Sequence, residues 1–128
     1  MSIRILVVDD DPLILALVAE ILLDEGYDVA TATNGAEALR RVAEVVPALI
    51  VTDLMMPVMD GPALVRACRA EPATAGLPIV IMSAALTALL DGVKSLAVQD
   101  AIPKPFDTDS LIDIIACLVA GTRSARGA

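Results

Sequence analysis

Ile3-Arg4-Ile5-Leu6-Val7-Val8-Asp9-Asp10-Asp11-Pro12 is an apolar run that stops on three carboxylates and then a proline. Its apolar part, residues 3–8, has the length and β-branched content of a strand. Asp11 can cap a helix whose first position is Pro12, where a missing N–H costs nothing, and Gly26 can end that helix. A strand feeding straight into a helix is the first step of a parallel α/β arrangement. Three further apolar runs stop in the same manner: residues 49–52 on Asp53, residues 79–82 on Ser83, and residues 101–103 on Lys104. In an open parallel sheet the carboxyl ends of the strands share one edge, and ligands bind in the crevice there. If the four runs belong to one sheet, their polar ends converge.

Outward from these runs, strand-like and helix-like segments alternate five times, the pattern of a parallel sheet wrapped by helices. Residues 29–33 read as the second strand. Asn34 then caps a helix to about Val45, with Glu37 three residues on completing a capping box, and Pro47 lies just beyond. The turn Pro57-Val58-Met59-Asp60-Gly61 leads into a third helix from Pro62 to about Arg69. The last third holds a weaker helix over residues 86–96, a short fifth strand near Ala101 and Ile102, and a helix from about Thr108 to Val119. Strands this uniformly apolar are usually covered on both faces.

The chain has 128 residues, enough for one domain around one core. Seventeen acidic against nine basic residues give a formal charge of −8, and no segment gathers Lys and Arg into a patch. Such a surface repels phosphate backbones, so neither nucleic acid nor an anionic membrane is an expected partner. The first apolar stretch is too short for a signal-peptide core or a membrane span, which predicts a cytoplasmic protein. Cys68 and Cys117 read as small buried side chains without metal or disulfide duty. The chain lacks histidine, which removes the commonest general base and the His-assisted nucleophile routes.

Each polar strand end has a structural explanation when taken alone. Three aspartates before a helix can be caps attracted to the positive end of its dipole. Asp53 can be a turn residue, Ser83 a cap and Lys104 a solvated cation. Jointly these explanations weaken, because packing gives no reason for carboxylates, a hydroxyl and a lysine to share one sheet edge. Like charges that close raise each other's pKa unless a cation intervenes. A hard divalent ion such as Mg²⁺ accepts one or two carboxylates and keeps positions open for phosphate.

Residues 5–11 (Ile-Leu-Val-Val-Asp-Asp-Asp), Asp53-Leu54-Met55-Met56-Pro57 through Met59-Asp60-Gly61, Ser83-Ala84 and Lys104-Pro105-Phe106 resemble the receiver domain of two-component response regulators. The likeness runs from about Ile3 to Val119. It implies a doubly wound, flavodoxin-like (βα)5 fold with five parallel strands in the order 2-1-3-4-5. It further implies a receiver domain over residues 1–120, with residues 121–128 as a disordered tail. By the same resemblance Asp53 is the nucleophile and phosphoacceptor, attacking the phosphorus of a phosphohistidine. Asp10 binds Mg²⁺ directly, Asp9 helps through water, and Asp53 and the backbone carbonyl of Met55 complete the protein ligands. Lys104 pairs with Asp53 and later with a phosphoryl oxygen, while Ser83 donates its hydroxyl to another. Lys104-Pro105 is expected as a cis peptide, a bond type plausible because proline follows.

Two departures from the family stand out. Receivers usually carry an aromatic or His three residues before the lysine, where this chain has Ala101, so the familiar switch partner of Ser83 is missing. Either the signal leaves by backbone movement around residues 83–85, or a partner fills the space beside Ala101. Residues 84–90 carry no charge. That is either a core-facing helix rich in Ala or a docking surface, including a homodimer contact over the region from Ala84 to Leu96. Met55 and Ala85 stand where the family tunes access of the hydrolytic water, and neither orients a water, which predicts slow self-dephosphorylation.

The resulting expectation is a single-domain response regulator, mainly a signalling protein, that catalyses its own Mg²⁺-dependent phosphorylation. It takes its phosphoryl group from a sensor histidine kinase or a histidine phosphotransfer protein and acts on an unidentified downstream protein. The alternative is a receiver-like binding module that works without phosphate. A dehalogenase-like phosphatase fits less well, since the chain has no cap domain. A flavodoxin needs hydroxyls and free N–H groups where the three aspartates stand.

Overall fold

The computed structural model describes residues 3–83, 98, 100–104 and 107–127. Five parallel strands form one sheet: β1 (Arg4–Val8), β2 (Asp28–Ala32), β3 (Leu49–Asp53), β4 (Ile79–Ser83) and β5 (Asp100–Pro103), in the order β2-β1-β3-β4-β5. Four helices lie within the described residues: α1 (Pro12–Asp24), α2 (Gly35–Glu44), α3 (Gly61–Ala70) and α4 (Thr108–Gly127). This is the doubly wound, flavodoxin-like arrangement, in the strand order 2-1-3-4-5, that the family resemblance implied. The helix expected over residues 86–96 lies outside the described residues, as does the homodimer surface assigned to that region.

The pleat sorts each strand onto two cores. Ile5, Val7, Leu49, Val51, Val80, Met82 and Ile102 pack with Val18 and Leu22 of α1 and with Leu111 and Ile115 of α4. Leu6, Val8, Ile50, Ile79 and Ile81 turn the other way, against Ala38 and Val42 of α2 and Leu64, Val65 and Cys68 of α3. Alternate residues of one strand point to opposite faces, so a strand buried on both sides is apolar throughout. Each fully buried Leu or Ile contributes about 1.5–3 kcal/mol of hydrophobic stabilisation.

Local chemistry fixes where the helices begin. The Asp11 carboxylate accepts the Leu13 N–H, and Pro12 occupies the first turn of α1. Asn34 accepts the Glu37 N–H and Asp60 accepts the Ala63 N–H, capping α2 and α3. The expected capping box takes a different form. The Glu37 carboxylate accepts the Thr33 hydroxyl at 3.0 Å, one residue ahead of the cap.

Two expectations are corrected. Helix α4 continues to Gly127, past Val119 and through most of the segment read as a disordered tail. Gly121 costs a helix only about 1 kcal/mol. Residues 122–126 carry no proline that would break the helix. Cys117, expected to be buried, is exposed on α4, whereas Cys68 is buried.

Candidate functional site at the carboxyl edge of the sheet

Register explains why the polar strand ends meet. Val8 pairs with Thr52, Asp53 with Met82, and Ser83 with Pro103. Asp9 and Asp53 therefore follow partnered residues of neighbouring strands, and Lys104 follows the last pair of β4 and β5. Pleat parity adds the facing: Asp9 continues the series Ile5, Val7, while Asp53 continues Leu49, Val51. Both fall on the α1/α4 side, as does Lys104 after Ile102. Ser83 has the parity of Ile79 and Ile81, and Ala101 packs against that second core.

Lys104 is the cation of the cluster. Its Nζ lies 2.7 Å from Asp9 Oδ2 and 3.5 Å from Asp53 Oδ1. The expected pairing with Asp53 is thus present, but the shorter contact is to Asp9. Asp9 has no exposed surface, and its Oδ1 accepts the Asp11 N–H at 2.9 Å. A buried carboxylate needs such partners, since desolvation without them costs several kcal/mol. Asp53 is also buried, and its Oδ1 accepts the Leu54 N–H at 2.8 Å. Asp10 is exposed.

Asp9, Asp10 and Asp53 each offer a carboxylate oxygen, all within 4.8 Å of one another. Three carboxylates converge and one lysine contacts two of them, leaving excess negative charge in a partly desolvated crevice. Burial pushes the Asp53 pKa up, and the Asp9 charge pushes it further, against the pull of Lys104 and the Leu54 N–H. For Lys104 burial works downward, yet the hydrogen bond to Asp9 and the charges of both aspartates outweigh it and leave its pKa raised. Oxygen donors, excess negative charge and one exposed ligand suit a hard divalent cation.

The other sequence-derived positions lie around this cluster. Ser83 is buried at the end of β4, and its carbonyl accepts the Lys104 N–H at 3.0 Å, which ties the lysine loop to β4. Met55 is 61% exposed. Pro105, and with it the expected cis peptide, lies outside the described residues, as does Ala85.

Some contributors were not singled out from the sequence. The Thr52 hydroxyl donates to the Asp53 carbonyl at 3.0 Å. Gly61 reads in sequence as an ordinary turn residue, but a Cβ there would come within 2.6 Å of the Asp53 carbonyl oxygen. Its N–H donates to the Leu54 carbonyl at 2.9 Å and closes the loop that follows Asp53. The Met-Asp-Gly string was the available signal for this close approach.

Residues 5–116 match the response regulator receiver domain family. The DNA-binding response regulator MtrA of Mycolicibacterium smegmatis is 40% identical over 111 residues, which are 85% of this chain and 47% of MtrA. The DNA-binding dual master transcriptional regulator RpaA of Synechocystis is 35% identical, covering 93% of this chain and 50% of its own length. The chain spans about half the length of these curated relatives. Among solved structures, chemotaxis response regulator CheY4 of Vibrio cholerae superposes with a TM-score of 0.84 at 29% identity, covering 92% of this chain and 99% of that one. The receiver domain of sensor histidine kinase PA1611 from Pseudomonas aeruginosa superposes with a TM-score of 0.87 at 26% identity, covering 94% and 99%. That structure has a magnesium ion coordinated in its active-site cleft.

Proposed function

The chain belongs to the response regulator receiver domain family, and from that premise we propose that it is a phosphorylatable switch whose acceptor is Asp53. The observation that carries this reading is the convergence of Asp9, Asp10 and Asp53 on one point beside Lys104. An Asp53 carboxylate oxygen attacks the phosphorus of a phosphohistidine on a sensor kinase or phosphotransfer protein. The new O–P bond forms as the P–N bond breaks, and the electron pair leaves with the imidazole nitrogen, which takes a proton from solvent. Lys104 is placed to hold the acceptor and then a phosphoryl oxygen, with the Ser83 hydroxyl as a second donor.

The donor set fits Mg²⁺, which Asp10, Asp53, Asp9 and the Met55 carbonyl would hold. When bound, it supplies neutralisation of the transferring group's charge. The chain's own residues orient the acceptor, since the Leu54 N–H and Lys104 fix the Asp53 carboxylate before any donor arrives.

A receiver domain over residues 1–120 that acts through protein contacts, without binding nucleic acid or membrane itself, accords with the charge of −8. Among the described residues no helix is long and apolar enough to cross a membrane, which accords with a cytoplasmic site of action. Self-dephosphorylation is proposed to be slow. Ala101 favours a second reading, a receiver-like module that binds partners without phosphate, because no ring stands there to report on Ser83.

Incubation with acetyl phosphate and Mg²⁺, followed by intact mass measurement, separates the two. A Mg²⁺-dependent gain of one phosphoryl group supports the switch. No gain, with Mg²⁺ bound and a histidine-phosphorylated donor protein also supplied, supports the phosphate-independent module.

A further inference from the structure

We propose that the loop following Asp53 is mechanically coupled to the first turn of α2, so that the state of Asp53 is reported at α2. This rests on the acceptor reading above and adds an exit route for the signal that does not need an aromatic at Ala101.

The coupling is built from four contacts. The Leu54 N–H is shared between Asp53 Oδ1 at 2.8 Å and the Met82 carbonyl at 3.0 Å. The Leu54 carbonyl accepts the Gly61 N–H, so both ends of the loop are pinned together. Inside the loop the Met59 N–H donates to the Pro57 carbonyl at 2.7 Å, a three-residue turn centred on Val58. The Met59 carbonyl then accepts the Gly35 N–H at 3.0 Å, and Gly35 is the first residue of α2.

Two features show that this last contact is tight. A Cβ at Gly35 would lie 2.6 Å from Met59 Cγ and 2.8 Å from its carbonyl oxygen, so the loop packs on α2 at a distance that only glycine allows. Val58 sits at φ 67°, the left-handed region that a β-branched residue rarely adopts, with its side chain 84% exposed. A turn of this kind is rare and strained, and it persists only where surrounding contacts over-determine it. Packing of the Val58 side chain does not supply them. The Gly35–Met59 and Leu54–Gly61 bonds do, so the loop is held under load between the acceptor and α2.

Phosphorylation turns the Asp53 carboxylate into a mixed anhydride, so the oxygen that accepts the Leu54 N–H becomes a neutral carbonyl and the bond weakens. The loaded loop then relaxes at its first residue, and the displacement reaches Gly35 through Met59. Helix α2 exposes Arg40, Arg41 and Glu44, which a partner can read.

The test is amide hydrogen exchange followed by NMR on the full chain, with and without Mg²⁺ and beryllofluoride, a mimic of the aspartyl phosphate. The expected result is a change at Leu54 together with about tenfold faster exchange at Gly35, the signature of a local opening made easier. Val58→Gly, which unloads the turn, is expected to reduce the Gly35 response to within about twofold while leaving the Leu54 response intact. A response at Leu54 with Gly35 unchanged overturns the coupling and leaves the acceptor reading standing. No response at either residue overturns both. A full Gly35 response in Val58→Gly overturns the role given to the strained turn.

Discussion

Replacing Lys104 with Met removes the only cation within reach of two buried carboxylates among the described residues. At an effective dielectric of about 20, contacts at 2.7 Å to Asp9 and 3.5 Å to Asp53 amount to roughly 6 and 5 kcal/mol of Coulomb attraction. Desolvation of the three groups offsets much of that. Removing one partner of such a pair leaves the other charge buried and uncompensated, which typically costs about 3–5 kcal/mol. We expect a loss of about 3 kcal/mol at pH 7, or roughly 10 °C in Tm for a domain of this size. Urea unfolding at fixed slope measures it. The Lys104 pKa is raised, so its contribution is complete below the ordinary lysine value and fades only as pH rises through the higher folded value. Between pH 5 and 9 the wild-type contribution is therefore flat. In the variant, acid relieves the repulsion as Asp53 takes up a proton, so the gap narrows as pH falls through the raised Asp53 pKa. Mg²⁺ at a hundred times the variant's Kd is expected to stabilise the variant itself by about 2.7 kcal/mol. A loss under about 1 kcal/mol, unchanged by acid, refutes this electrostatic account.

Asp53→Asn is expected to stabilise the metal-free domain by about 1 kcal/mol at pH 7. Because the Asp53 pKa is raised on folding, its stabilising share is present below the ordinary aspartate value and lost as pH rises through the folded one, so the advantage of Asn should vanish near pH 3 in urea titrations. Gly61→Ala drives a methyl against the Asp53 backbone and should cost about 2 kcal/mol, read as a lower urea midpoint. Val58→Gly should raise stability by about 1 kcal/mol, since glycine adopts positive φ without the Cβ penalty; an unchanged midpoint argues against strain there.

The fold was legible because its signals agree at several levels. Uniformly apolar strands, Asp11-Pro12, Asn34 and Asp60 at helix starts, and polar strand ends all point to one parallel sheet. The clustering of Asp9, Asp10, Asp53 and Lys104 was legible for the same reason, since strand ends in register deliver whatever follows them to one edge. The pairing within the cluster was not. The nearer partner of Lys104 depends on side-chain reach across 95 residues of sequence, and the shorter contact goes to the fully buried Asp9. The extent of α4 was missed because a glycine followed by short polar residues reads as a terminus. The strained turn at Val58 was hidden because a valine carries no sequence signal for positive φ, and only Gly35 and Gly61 marked how closely the chain approaches itself there.

The most direct test of the central claim is chemical identification of the phosphorylated residue. After incubation with acetyl phosphate and Mg²⁺, borohydride reduction converts an aspartyl phosphate to homoserine, and peptide mass spectrometry locates it. The account expects homoserine at position 53, dependent on Mg²⁺ and absent from Asp53→Ala. Homoserine at Asp9 or Asp10 instead, or its formation without regard to Mg²⁺, would contradict it.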